Sequence, residues 1–179
     1  VGGQARVEIE RAVVKARTLM EKHPGHGDQS VHGGARGGGK SDTQASSDLK
    51  RGKAGLQEAS DRLADIKSAT DAMKRSHSIG LTGDTRERVL QKHGDIDASL
   101  SRAKSNLDLA IKMHGSDRGT TQANASAAKR HVQRAEKDMA VIHSLSGGFA
   151  QGGRSHRSFE NAVDQLKSQI DELVDGGVL

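Results

Sequence analysis

Apolar side chains recur along this chain at alternating spacings of three and four residues, the period of one face of an α-helix. In the first such segment, residues 5–23, Ile9, Val13, Ala16 and Met20 form a stripe, with Glu8, Glu10, Arg11, Lys15 and Arg17 mostly off it. A second run begins near Asp42, where Leu49, Gly52, Leu56, Ala59, Leu63, Ile66, Thr70 and Met73 make a heptad seam. A third carries Val89, His93, Ile96, Leu100, Ala103, Leu107, Ala110 and His114, with Asp84 or Thr85 predicted as its N-cap. A fourth aligns Ala125, Ala128, Val132, Ala135, Met139 and Ile142, and a fifth Phe159, Val163, Leu166, Ile170 and Leu173.

Short breakers separate the last four segments, at residues 77–84, 114–119 and 146–156. Gly80, Gly115 and Gly147 sit where a glycine ends a helix. Connections this short turn each helix back along the one before it. No segment alternates with the period of a strand. The pattern predicts an all-α antiparallel bundle of about four long helices over residues 42–179. A helical arm (1–22) precedes it, joined by a Gly/His-rich flexible loop (23–41).

Composition sharpens this picture. Only 32% of the 179 residues are hydrophobic, there is no Trp, Tyr or Cys, and Phe149 and Phe159 are the only aromatic rings of the phenyl type. A thick core or a deep aromatic-lined pocket is not expected, and disulfide and thiol chemistry are excluded. Many seam positions are Ala, Gly or Thr, which bury little area each, so completion by a neighbouring molecule is the natural expectation. The net charge of +5 is spread with both signs along the helices, the mark of a solvated helical surface more than of a concentrated nucleic-acid patch. No run approaches the roughly 20 apolar residues of a membrane span.

The loop between the first two helical segments holds the densest chemistry. His23, His26 and His32 follow the spacing H-x2-H-x5-H, with Asp28 between. Neutral imidazoles suit zinc, but structural zinc motifs mostly use thiolates, which this chain lacks, and a glycine loop loses much entropy on ordering. A linker that takes up metal adventitiously is the plainer reading, and no other cofactor is implied. Gly34 to Ser41 fit G-x4-G-K-S residue for residue, yet a phosphate loop needs a buried strand before it. A nucleic-acid-binding role would use this loop with its basic flanks Arg36, Lys40, Lys50, Arg51 and Lys53. His93 and His114 on the seams read as satisfied core or rim histidines. His77, His114 and His143 lie near helix C-termini, where positive charge is favourable. Phe149 reads as a hydrophobic plug over one end of the bundle.

The residues Lys22, His23, Gly25, His26, Gln29, His32 and Gly33 resemble a short signature, roughly K-H-x-G-x-H-x-Q-x-x-H-G, of head proteins of tailed bacteriophages, with the first two histidines closer together. The likeness covers about a dozen residues. It implies a virion or head-assembly protein, located in the virion or the host cytoplasm and partnered by copies of itself, a capsid protein or a portal protein. A start at Val1 would suit a maturation product or a piece of a longer polyprotein.

The expectation from residues and resemblance together is a non-enzymatic structural or assembly protein acting through helix–helix contacts. The alternative is a small nucleic-acid- or metal-binding helical module that uses the loop.

Overall fold

The computed structural model describes residues 42–179. The predicted arm and loop, with His23, His26, His32, Arg36 and Lys40, lie outside the described residues. Four helices make up the rest: α1 (Asp42–Gly80), α2 (Gly83–Met113), α3 (Arg118–Leu145) and α4 (Arg154–Asp175). Among the described residues there is no strand, and the fold is an all-α bundle. Each helix packs against the next, and α4 returns against α1 to close the ring, with α2–α3 and α1–α4 the most extensively packed pairs.

The predicted seams are the core. On α1, Leu56, Ala59, Leu63, Ile66, Thr70 and Met73 are buried; on α3, the whole line from Ala125 to Ile142 is; and on α4, all five predicted positions are. On α2, Val89 through Ala110 point inward, while His114 is half-buried at the helix end. Leu49 departs from its seam and stands 44% exposed. The reason is length: α1 has 39 residues against 22 in α4, so at 1.5 Å per residue its first turns project past the far end of the bundle. The carbonyl of Leu49 is itself held there, by His114 Nε2 at 2.8 Å.

Three of the six core positions on α3 are alanines (Ala125, Ala128 and Ala135), so its apolar hold falls largely on Val132, Met139 and Ile142. Burying such a large side chain contributes about 1.5–3 kcal/mol, a methyl about 0.8. Polar clasps on every interface then set the register. Lys67 reaches Asp97 (2.9 Å) between α1 and α2, and Lys92 reaches Asp138 (3.7 Å) between α2 and α3. Lys167 reaches Glu136 (3.0 Å) between α3 and α4, and Arg62 donates to Gln169 (2.9 Å) between α1 and α4. Exposed pairs of this kind contribute at most about 1 kcal/mol each, so they select a register more than they hold the bundle.

The helix ends differ in part from expectation. The N-cap of α2 is Thr82, in extended conformation and without a side-chain cap bond, and Asp84 sits in the first turn instead of at the cap. Because α1 runs on to Gly80, only Leu81 and Thr82 remain for the turn. Asp117 caps α3, accepting from Thr120 N (3.0 Å) and Thr120 Oγ1 (2.7 Å). Gly115 and Gly147 are left-handed stops, with φ of 84° and 62°. Gly80 is not: it keeps helical backbone, and its missing side chain makes room for the ring of Phe149.

At the far end, a Cβ on Gly52 would run into the backbone carbonyl of Val178, which cannot swing aside as a side chain can. Gly52→Ala is therefore expected to destabilise by about 1–3 kcal/mol through overpacking. Gly94 lies exposed within α2 with nothing near its Cα, so Gly94→Ala should stabilise by about 0.5–1 kcal/mol. Urea midpoints of the two variants measure both signs.

Candidate functional site: a histidine-lined end of the bundle

Antiparallel packing brings the C-terminal turn of each helix beside the start of the next. The α1–α2 turn and the α3–α4 turn therefore share one end of the bundle, and four buried histidines line it: His77 on α1, His93 on α2, His143 on α3 and His156 on α4.

Hydrogen bonds fix the tautomers on the α1–α2 side. His77 Nε2 lies 3.2 Å from the carbonyl oxygen of Phe149, which only accepts, so Nε2 carries the proton of neutral His77. Its bare Nδ1 then accepts from His93 Nε2–H at 2.9 Å. Burial above all pushes the imidazole of His77 below its ordinary value, against the pull of the Phe149 and Met73 backbone carbonyls. Burial, with His77 beside it, brings His93 down to about 4.

The ring of His156 is oriented from both sides. Its Nδ1 accepts from the backbone N–H of Gly152 at 2.9 Å, leaving Nε2–H to face Glu160 Oε1 at 3.1 Å. His143 packs edge-on against the His156 ring at a centroid distance of 4.3 Å, and is only 7% exposed. Neither of its ring nitrogens has a hydrogen-bond partner. Burial, then the nearby His156 and His77, lowers it to about 4.

Phe149 covers this end. The α3–α4 turn has left-handed backbone at Gly147, Gly148, Ala150 and Gly152, which curls it back across the bundle. The Phe149 ring reaches His77 at 5.8 Å between centroids and remains 39% exposed. It is a partial plug, as its place in a glycine-rich turn suggested.

The helix C-terminus argument for His77 and His143 gives way here. Both lie in last turns, but desolvation outweighs the helix dipole and the neutral forms prevail. Of the other residues predicted to bind, Lys50, Arg51 and Lys53 are exposed on the first turns of α1, and Arg51 is ion-paired with Asp48. They stand at the opposite end from the histidines. Among the described residues no group of three or more His, Asp or Glu side chains is arranged to hold a metal ion. Sequence reasoning treated His77, His93 and His143 separately and passed over His156. The signal was present in hairpin arithmetic: His77 and His93 flank one short turn, His143 and His156 the other.

The fold and this end define an all-α four-helix bundle whose core is completed at one end by neutral imidazoles. No protein-family model, curated protein or solved structure matches the chain.

An acid limb of stability follows. The unfolded chain takes up protons at the ordinary histidine value of 6.5, whereas folded His93 and His143 resist to about 4. Between those values the unfolded state binds more protons, so stability is complete above about 6.5 and falls as pH drops towards 4, by up to about 1.4 kcal/mol per pH unit for each histidine. Chemical denaturation across that range should show the slope, and His143→Leu, which removes two unpartnered nitrogens, should flatten it without lowering the melting temperature at neutral pH. A stability flat over that range would contradict the neutral assignment.

Proposed function

We propose that the protein is a non-enzymatic assembly component, acting in a tailed-phage particle by accepting helices of neighbouring subunits against its surface. The observation that carries this reading is a groove between α1 and α2, of about 310 Å³. Its floor is Leu63 and Leu100, both nearly buried, and its walls are the small residues Ser60, Ala64 and Ser101. Asp61, Lys67 and Lys104 form a charged rim, the two lysines each paired with an aspartate one turn on, Asp71 and Asp108. An apolar floor, small walls that allow close approach and a charged rim suit an incoming amphipathic helix.

The phage context is supported by the His/Gly signature of residues 22–33, which is independent of the groove. A core built on so many alanines also favours a role in which neighbours add buried surface. Copies of the chain itself are the first partner this reading names, with a capsid or portal protein next.

Light scattering coupled to size exclusion tests it. Ala64→Glu with Ser101→Glu places carboxylates in the groove on exposed positions, so the bundle should keep its melting temperature while self-association is lost. A wild type that stays monomeric well into the micromolar range, or a double variant that associates unchanged, would contradict the groove as the contact.

A further inference from the structure

A second surface, on the adjacent pairing of α2 with α3, carries a different chemistry. Arg130, Arg134 and Lys137 stand one turn apart along the exposed side of α3. Asn106 donates to Asn124 (3.0 Å) and Lys92 meets Asp138 (3.7 Å), and this α2–α3 register sets Arg102 of α2 opposite Ala128, within a turn of Arg130. Arg102, Arg130, Arg134 and Lys137 are all exposed, and among the described residues none of the four makes an ion pair or side-chain hydrogen bond.

Their fields converge on His131, half-buried between the two helices. Its imidazole is pushed below the ordinary value, by burial first and then by Arg102, Arg130 and Arg134. Like charges one turn apart weaken a helix by a few tenths of a kcal/mol. Elsewhere on α3 the cation Lys129 is balanced across the interface by Asp171 at 2.6 Å, whereas among the described residues none of these three guanidinia is ion-paired, the nearby Asp138 being taken by Lys92. A repulsive cluster of this kind is relieved by a multivalent anion.

We infer that this α2–α3 face binds the phosphate backbone of double-stranded nucleic acid, with Arg102, Arg130, Arg134 and Lys137 as the contacting cations. Arginine suits the task because its planar fork meets phosphate oxygens two at a time. From Arg130 to Lys137 the helix rises about 10 Å, the axial length of about three base pairs, so the stripe meets successive phosphates along a groove edge. Recognition is of charge and shape, without base readout. The inference does not rest on the α1–α2 groove, and it moves nucleic-acid contact away from the loop and first turns of α1, where the basic residues of the sequence first drew attention.

Fluorescence anisotropy of the full chain with a labelled mixed-sequence DNA duplex, titrated over a salt series, tests it. With three to four phosphates engaged, the logarithm of affinity should fall with the logarithm of salt with a slope of about −3. The variant R102Q/R130Q/R134Q should lose about tenfold or more in affinity and most of that slope, while K50Q/R51Q/K53Q should stay within about twofold of wild type. Thermal melting of the triple variant should match or exceed wild type, because repulsion is relieved. No binding to the duplex, retained binding in the triple variant, or loss that follows Lys50, Arg51 and Lys53 instead would each overturn the inference. So would a triple variant that melts well below wild type, since the arginines would then be holding the fold.

Discussion

The rest of the structure depends on one constraint: this chain has very few large apolar side chains to bury. Alanines on α2 and α3 let those helices approach closely, and close approach substitutes contact for bulk. Packing alone leaves the register of such a bundle loosely set, because a shift of one turn along an alanine seam changes few contacts. The polar clasps at each interface supply the missing specificity. They are individually weak, but one at each junction leaves a single arrangement in which all are satisfied.

The same scarcity explains the histidine end. Near the α1–α2 and α3–α4 turns the apolar residues run short, and imidazoles complete the layer together with Phe149. An imidazole serves as core only while uncharged, and His77 is bonded at both ring nitrogens, to His93 and to the carbonyl of Phe149. His143 has no such match and packs as a ring. The stability of this end is therefore tied to proton activity.

Much of the architecture is legible in the sequence. Heptad seams mark the four helices of residues 42–179, and nearly every seam residue is buried. Leu49 misleads because periodicity reports a helix face and not how far the partner helices extend. Asp84 misleads as a cap because α1 continues further than its glycine suggested, and Gly80 turned out to serve packing against Phe149. The site was harder to see. Which histidines meet depends on interhelical register, and that register is fixed by side-chain pairs such as Lys92 with Asp138, which no local pattern displays. The arginine cluster was hidden for the same reason: Arg102 is distant in sequence from Arg130, and the even mixture of charge along each helix concealed their convergence.

The most direct test of a core completed by neutral imidazoles is an NMR titration following the ring nitrogens of the individual histidines. The account predicts that His93 and His143 remain neutral until about pH 4, with His77 in the tautomer protonated at Nε2. Titration of His93 and His143 at the ordinary 6.5 with the fold intact would contradict it.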